Sequence, residues 1–379
     1  MKLTASEQEQ VAGKYTDNIE AYDNFLKGVG HAVRYTRDDT PQAIRYLKKA
    51  IQLDPNYGPA YARLGSLYWS TPWMWTDLTW PKSVIVQRHY LQEAMKSPDP
   101  GTYRLAALIN LRLHLYKEAI SEAERALALA PNDPVSLGAM SVVLNFAGKP
   151  KEAVKFAKLQ MRHDPRQVHF ALRELGKAQF SMGNLEQAET YFERSLTHDP
   201  ELISNYLYLA ATYAHLGREK EAREALNHFY SLSGGGKPTL RGWMHFWPYK
   251  NLEVVERLAD GLLKAGMIGE PSGYNKILEE NRLTEAEIRK LVFGKEIRIL
   301  CQQIGGYINR TKEGTFMHAG YGSGKSRIVN EMLCDKWDSR FEGIEYCGTV
   351  FRNPEGTPEM MDEYIYVTDF QFCALSHVE

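Results

Sequence analysis

The residues with the clearest capacity for chemistry lie near the C-terminal end, in the run Ala319-Gly-Tyr-Gly-Ser-Gly-Lys-Ser326. This run fits the loose pattern of a phosphate-binding loop, with alanine in place of the first glycine. In that interpretation the backbone around Gly324 would hold phosphates, Lys325 would reach the terminal phosphate groups, and Ser326 would bind Mg²⁺. A nucleotide-binding or nucleotide-hydrolysing tail at residues 319–326 is therefore one alternative function.

The surroundings of this run do not favour nucleotide binding. A phosphate-binding loop follows a buried parallel strand and opens a helix, and its core needs several strand–helix units afterwards. Residues 314–318 make a weak strand, and residues 327–379 have the pattern of β-hairpins. We therefore expect no nucleotide hydrolysis, no cofactor and no enzymatic activity.

Two cysteines form the other candidate for chemistry. Cys334 and Cys347, 13 residues apart, flank a predicted hairpin. They could form a disulfide in an oxidising compartment, but two buried thiols are expected in a cytoplasmic protein. No second pair of Cys or His residues has the spacing of a zinc site, and the eleven histidines are scattered. The sequence thus predicts no metal site and no catalytic group of residues.

The pattern around these cysteines is that of strands. After Gly294, short β-rich runs separated by Gly-rich and Asn-Pro turns predict a small antiparallel β-rich module over residues 293–379. The predicted strands are 297–304, 314–318, 344–352 and 364–372. A second alternative function is a small-ligand sensor in this module, with an apolar pocket near Trp337, Phe351 and Phe370.

Ahead of this module the chain repeats itself. Pro98, Pro131, Pro165 and Pro200 follow one another at steps of 33, 34 and 35 residues. A period near 34 residues suits two helices of about a dozen residues plus short turns. Between the prolines, apolar residues recur every three or four positions, so each helix has one buried face. A glycine such as Gly183 ends the first helix of each pair.

This pattern resembles the tetratricopeptide repeat. The resemblance implies a mainly α fold: a right-handed α-solenoid of five to six repeats over residues 21–232, of which the first two are degenerate. A polar lead-in (1–20), a Gly-rich joint with connecting helices (233–292) and the β-rich module (293–379) complete the predicted organisation. A Trp-rich insert at residues 69–80 interrupts the second repeat. We expect it to seal an open end of the solenoid rather than to contact a partner, the alternative that its tryptophans also suggest.

Stacked repeats of this kind form a concave groove that is lined by the first helix of each pair. From the repeat pattern, the residues predicted to face this groove are Arg104, Leu108, Arg112, Asn145, Arg173, Lys177 and Phe180. The four cations among them would make the groove locally basic, which suits an acidic peptide or a chain-terminal carboxylate. The alternative is that these cations are solvated and have counter-charges nearby.

Several segments outside the repeats resemble the part that follows the catalytic domain of bacterial class III adenylate/guanylate cyclase-like proteins. The segments are residues 3–10, 17–27, 248–261, 347–359, 362–364 and 369–370. Such catalysis needs metal-binding aspartates on an α/β domain, and no domain of that kind fits ahead of residue 21. The resemblance implies the non-catalytic regulatory or scaffolding part of a cyclase-like signalling protein, or a stand-alone relative of it.

Composition limits the remaining classes of protein. The formal net charge is −1 at pH 7, so no general attraction to nucleic acid or to an acidic membrane is expected. No run of about 18 apolar residues indicates a membrane-spanning helix, and the polar start is not a secretory signal. The sequence therefore predicts a cytoplasmic protein–protein interaction scaffold that binds a protein or peptide, with a homo-oligomer formed through the solenoid as a further option.

Overall fold

The computed structural model describes most of the chain, with gaps in several loops. The described residues are 16–34, 36–70, 80–233, 239–240, 247–269, 279–301, 305–318, 322–338, 345–353, 363–368 and 372–377. The described chain begins with six consecutive helix pairs. Their helices are α1 (Ile19–Ala32), α2 (Asp39–Leu53), α3 (Gly58–Ser70), α4 (Trp80–Ala94), α5 (Pro100–Arg112), α6 (Tyr116–Leu129), α7 (Pro134–Phe146), α8 (Pro150–His163), α9 (Val168–Ser181), α10 (Leu185–His198), α11 (Ile203–His215) and α12 (Glu219–Leu232). The prediction of a mainly helical chain is confirmed.

The turn inside each pair explains why the glycines recur. Gly148, Gly183 and Gly217 follow the first helix of their pairs with φ angles of 77°, 81° and 75°. A residue without Cβ adopts this left-handed conformation at the lowest cost, and it ends the helix. His114 occupies the equivalent turn between α5 and α6 with φ of 60°. There a histidine takes the conformation that glycine adopts in the later repeats.

A further helix, α13 (Leu252–Lys264), packs against α11 after the repeats. The segment around it crosses the C-terminal ends of the first helices. The amide of Lys250 donates to the carbonyl of Phe146 at 2.8 Å, and the guanidinium of Arg257 donates to the carbonyl of Phe180 at 2.8 Å. These donors satisfy carbonyls that a helix end leaves without partners. Residues 247–264 therefore cover one edge of the C-terminal half of the solenoid.

The C-terminal strands close into an eight-stranded antiparallel barrel in which β8 pairs with β1. The strands are β1 (Lys295–Cys301), β2 (Gly305–Arg310), β3 (Thr315–His318), β4 (Gly322–Val329), β5 (Met332–Trp337), β6 (Tyr346–Arg352), β7 (Tyr364–Thr368) and β8 (Phe372–His377). Phe316, Trp337 and Tyr366 fill the core together with Ile288 and Leu291 of the preceding helix, α14 (Glu285–Val292). The small β-rich module is thus a closed barrel with a helix packed against its core.

The predicted strand list was incomplete. Strands β2, β4, β5 and β8 were missing from it or merged with their neighbours. The physical reason is visible in β4, where Gly322, Ser323, Gly324 and Lys325 give no apolar alternation. Its inward positions are Gly324 and a hydrogen-bonded serine, because the aromatic rings of Phe316 and its neighbours need the space. A Cβ on Gly324 would lie 2.5 Å from the Phe316 ring and 2.3 Å from a carbonyl oxygen of β5.

The barrel contacts the middle of the solenoid. The hydroxyl of Thr349 donates to the carbonyl of Leu113 at 2.9 Å, and the guanidinium of Arg88 donates to the carbonyl of Cys347 at 2.9 Å. Met332 of β5 packs against an apolar cluster of α5 and its following turn. These contacts attach β5 and β6 to the edge of the solenoid at α4 and α5.

The two cysteines next to this contact are joined. Cys334 of β5 and Cys347 of β6 lie directly opposite each other in the strand register and form a disulfide. The prediction of two buried thiols is therefore wrong, because strand pairing brings the two sulfur atoms together. Disulfides persist chiefly in oxidising compartments, and the cytoplasmic location stays a prediction. No helix in the described ranges is long and apolar enough to cross a bilayer.

The buried histidine of the α5–α6 turn predicts acid sensitivity. Burial lowers the pKa of His114 to about 3, whereas an unfolded histidine titrates near 6.5. The unfolded chain binds the extra proton between these values, so stability is fully present above about pH 6.5 and falls as the pH is lowered. From pH 7 to pH 4.5 we expect a loss of about 2–3 kcal/mol from this residue. Chemical denaturation at both pH values measures it.

The matched variants for this test are His114→Asn and, as control, the exposed His163→Asn. Asparagine tolerates the left-handed turn conformation, so His114→Asn should fold and should show a shallower loss of stability on acidification. Some loss will remain because the pKa of His169 is also lowered, to about 4, mainly by burial. An acid response of His114→Asn equal to that of the wild type would contradict this account.

Candidate functional site

A cavity of about 410 Å³ lies among the first helices of five successive pairs, α1, α3, α5, α7 and α9, with Gln160 of α8 also in its lining. We call it the groove. Its lining is mostly apolar, from the side chains of Phe25, Leu26, Val29, Val33, Leu67, Trp69, Leu108, Val135, Val142 and Phe170. Charged side chains also line it, namely Arg63, Asp99, Arg104, Asp164, Arg173 and Glu174. The first helices thus supply nearly all of the lining of this cavity.

Several of these apolar side chains are unusually exposed for their size. Leu26 and Val135 are each 48% exposed, and Val33 is 36% exposed. They belong to α1 and α7, which lie at different positions along the groove. Apolar side chains that face solvent inside a concave surface are typical of a surface that another molecule covers.

Three of the seven predicted groove residues line the groove. They are Arg104, Leu108 and Arg173. The guanidinium of Arg104 donates to a carboxylate oxygen of Asp133 at 2.7 Å and to a serine hydroxyl at 2.9 Å. The guanidinium of Arg173 donates to Glu174 at 2.8 Å. Both predicted cations therefore have counter-charges, as the alternative interpretation of the sequence expected.

The other four predicted residues lie outside the groove lining. Arg112, Asn145, Lys177 and Phe180 are all buried between helices. Arg112 lies 3.3 Å from a side-chain oxygen of Gln87, and Phe180 is fully buried in the core of the solenoid. The repeat pattern identifies the first helix of each pair but not which of its faces each residue lies on. These four residues lie on faces that pack against neighbouring helices.

Glu174 connects two of these residues to the groove. Its carboxylate accepts from the side-chain amide of Asn145 at 3.1 Å and from the ammonium of Lys177 at 3.1 Å. Burial opposes ionisation of Glu174, but Lys177 and Arg173 outweigh it and hold the pKa of the carboxyl below its usual value. Burial lowers the pKa of Lys177 to about 8, although Glu174 opposes this shift. Glu174, Asn145 and Lys177 thus form a buried, hydrogen-bonded cluster next to one end of the groove.

Arg63 was not among the predicted site residues, yet it lines the groove on α3. Its Nε atom is buried without a hydrogen-bond partner, and no carboxylate of the described residues lies within ion-pair distance of it. Burial and the nearby charge of Arg104 lower the pKa of Arg63 to about 10, with Asp133 acting in the opposite direction. Arg63 is thus a cation of the groove that lacks an ion-pair partner within the described chain.

The residues of the phosphate-loop alternative lie in the barrel. Gly324, Lys325 and Ser326 are consecutive residues of β4, between β3 and β5. The hydroxyl of Ser326 donates to Asp335 and accepts from the guanidinium of Arg310 at 2.9 Å. A phosphate-binding loop would have to open a helix here, whereas the chain continues as β4 and β5. The described residues 322–326 therefore form a strand and not the loop and helix start of a phosphate-binding loop, while residues 319–321 lie outside the described residues.

The described residues of the sensor alternative lie in two separate apolar clusters of the barrel. Trp337 is buried and packs edge-on against Phe316 with ring centroids 4.8 Å apart, inside the filled barrel core. Phe351 belongs to a separate apolar cluster with Ile365 and Val367. Phe370 lies outside the described residues, as do residues 71–79 of the Trp-rich insert. Trp337 and Phe351 thus belong to different clusters, and the sensor alternative stays a prediction.

One cluster in the described part of the chain has the composition of metal ligands. It consists of Cys334, Cys347 and Glu345. Both sulfur atoms are joined in the disulfide, and Glu345 pairs with Arg327 through two contacts of 2.6 and 2.7 Å. The sulfur atoms are thus bonded to each other, and both carboxylate oxygens of Glu345 accept from Arg327.

Comparisons with known proteins agree with the repeat architecture. The tetratricopeptide repeat model matches residues 169–202, which include α9 and α10. The APC/C hetero-tetramer Cut9–Hcn1 is similar at 15% identity and TM-score 0.44, over 65% of this chain and 43% of that chain. A tetratricopeptide repeat protein from Parabacteroides merdae is similar at 16% identity and TM-score 0.38, over 68% of this chain and 94% of that chain.

A third similar structure is YrrB, a TPR protein with an unusual peptide-binding site, at 19% identity and TM-score 0.31, over 49% of this chain and 91% of that chain. This chain spans less than half the length of the Cut9–Hcn1 chain that it matches. No curated protein matched the sequence. The described fold is a helical solenoid that continues into a β-barrel, and its fifth helix pair matches the tetratricopeptide repeat.

Proposed function

We propose that this chain is a non-catalytic protein–protein interaction scaffold that holds a peptide segment of a partner protein in the groove. The observation that carries the proposal is the groove itself, with exposed Leu26 and Val135 on two of its helices. Covering apolar surface that water now contacts supplies binding free energy. Tetratricopeptide proteins bind peptide or protein partners, which supports the proposal.

The size and shape of the groove favour a segment over a small molecule. Six helices contribute to it, the five first helices and α8, and the lining extends from α1 to α9. A chain segment can place side chains against several of these helices at once, each in a separate part of the surface. We therefore expect the exposed apolar side chains on α1 and α7 to contact apolar side chains of the bound segment.

A narrower proposal is that the partner belongs to a cyclase-like signalling system. It rests only on the resemblance of the six segments named in the sequence analysis, among them residues 17–27, 248–261 and 347–359. The comparisons with known proteins add no support for it. The groove proposal does not depend on this link.

The test uses a phage-displayed library of twelve-residue peptides selected on the full chain, followed by measurement of Kd for the enriched peptides. In the variant Leu26→Gln/Val135→Gln we expect binding to weaken about thirtyfold. Each side chain is already half-buried, so each loses about 1 kcal/mol of apolar burial, and about 1.4 kcal/mol corresponds to a factor of ten.

Leu129→Gln provides the matched control, because Leu129 is 57% exposed and does not line the groove. It should leave Kd unchanged. Thermal unfolding of all variants should match the wild type, since the substitutions exchange side chains that are about half exposed. Peptides whose binding is indifferent to Leu26→Gln/Val135→Gln, or a library that yields no binders, would overturn the proposed function.

A further inference from the structure

Arg63 differs from the other two arginines of the groove in how its charge is compensated. Arg104 is held by Asp133 at 2.7 Å, and Arg173 by Glu174 at 2.8 Å. Arg63 has no such partner in the described chain, and its Nε atom is buried without a hydrogen bond. A buried donor without a partner is costly, and a charged one more so. Arg63 as a whole is partly exposed in the groove, and among its nitrogen atoms Nε is the one that is buried without a partner.

The charged groups that act most directly on Arg63 are Arg104 and Asp133. Arg63 and Arg104 contribute two positive charges, and Asp133 contributes one negative charge that is already bonded to Arg104. The carboxylates that line the groove are also occupied: Asp99 accepts from the amide of Thr102, Asp164 from the amide of Arg166, and Glu174 from Arg173. None of these carboxylates lies within ion-pair distance of the guanidinium of Arg63.

We propose that Arg63 is a carboxylate-binding residue of the groove, and that it selects partner segments with an internal Asp or Glu between apolar residues. This inference rests on the proposed function and specifies its partner. A guanidinium offers five N–H donors in a planar fork, which matches the two oxygens of a carboxylate. Charge-assisted pairs of this kind are stronger than neutral hydrogen bonds, and more so inside a half-buried groove than in bulk water.

The position of Arg63 along the groove favours an internal side chain over a chain terminus. Arg63 belongs to α3, the second of the five first helices that line the groove. On one side lie Leu26 and Val29 of α1, and on the other lie Val135 and Val142 of α7. A segment that ended at Arg63 would leave one of these apolar surfaces uncovered. A segment with its acidic residue in the middle covers both.

The experiment uses the twelve-residue peptide library on the full chain, with parallel selections on wild type and on Arg63→Gln. Wild type should enrich peptides that share an Asp or Glu flanked by apolar residues, and Arg63→Gln should lose that acidic preference. For one enriched peptide, Asp→Asn (or Glu→Gln) should weaken binding to the wild type at least tenfold. Arg63→Gln should weaken binding of the unaltered peptide by a similar factor.

The two changes should not add when combined, because both remove the same pair of charges. Arg63→Lys retains the charge but not the planar fork, so its affinity should fall between wild type and Arg63→Gln. Arg194, exposed on α10 and outside the groove lining, serves as the matched control, and Arg194→Gln should leave Kd unchanged. Amidation of the peptide C-terminus should also leave Kd unchanged.

The outcomes separate the two proposals. Peptides that compete at the groove without any acidic preference would overturn the role of Arg63 and leave the scaffold function in place. Sensitivity to C-terminal amidation in place of the acidic side chain would show that a chain terminus binds, and would also overturn the inference. A failure to find any peptide whose binding depends on Leu26 and Val135 would overturn both proposals. The peptide-side substitutions keep the test valid even where an Arg63 variant folds poorly.

Discussion

Replacing Asp335 by alanine is expected to unfold the barrel under conditions in which the wild type is stable. Asp335 accepts from Arg310 at 3.0 Å and from Ser326, and the side chains of Arg310 and Asp335 are 3% and 1% exposed. Without the carboxylate, Arg310 would remain charged inside the barrel because a guanidinium cannot lose its proton at any relevant pH. Breaking a buried pair in this way costs about 3–5 kcal/mol, a large share of the about 5–15 kcal/mol of a typical domain.

Limited proteolysis followed by mass spectrometry measures this effect, since it reports separately on the barrel and on the repeats. Asp335→Ala should be cleaved within residues 295–377, while the repeats of the same molecule resist. The control is the double variant Arg310→Met/Asp335→Leu, which removes both charges and should recover most of the resistance. Cleavage of Asp335→Ala at the wild-type rate would show that the charge pair is not what holds the barrel interior.

Replacing Glu174 by alanine is expected to destabilise the repeats by about 3 kcal/mol at pH 7, somewhat less than the loss of Asp335 costs the barrel. The substitution removes the acceptor of Asn145, Arg173 and Lys177. Its cost is limited because Lys177, whose pKa burial already lowers to about 8, can respond by giving up its proton. Arg310 in the barrel has no such response.

The pH dependence of this variant provides a specific check. In Glu174→Ala the pKa of Lys177 should fall further, because the carboxylate that opposes the burial effect is gone. The unfolded chain then binds more protons than the folded one up to the ordinary lysine pKa, so stability rises with pH in this range. Chemical denaturation should show a smaller penalty at pH 9 than at pH 7. The exposed Glu224→Ala on α12 is the control, and an equal penalty at both pH values would contradict the role assigned to Lys177.

The repeat architecture could be predicted from the sequence because its signals are local. Prolines and glycines act within a few residues of a helix end, and the glycines Gly148, Gly183 and Gly217 adopt the left-handed conformation that the pattern requires. The closed barrel could be predicted only in part. Its closure depends on pairing between β1 and β8, which are far apart in sequence, and inward glycine and serine in β4 remove the apolar alternation that marks a strand.

The sequence indicated which helices line the groove, but it did not identify most of the individual residues that line it. The first helices line it, yet buried Lys177 and Asn145 bond to Glu174 instead of to solvent. Arg63 was missed because the insert after it disturbs the second repeat, so candidate residues were counted from the later repeats. A signal was present: Arg63 precedes Gly65 by two residues, just as the groove-lining Glu174 precedes Gly176. Contacts between repeats decide which cations have ion-pair partners. A sequence pattern does not show these contacts.

The central claim is that a partner segment binds in the groove between the first helices, and photo-cross-linking tests it most directly. A selected peptide carrying a photoreactive phenylalanine analogue would be irradiated with the full chain, and the attached residues identified by mass spectrometry. The account predicts attachment to groove residues of α1, α3 and α7, such as Leu26, Leu67 and Val142, and its loss in Leu26→Gln/Val135→Gln. Attachment to the barrel or to the second helices of the repeats, unchanged by those substitutions, would contradict it.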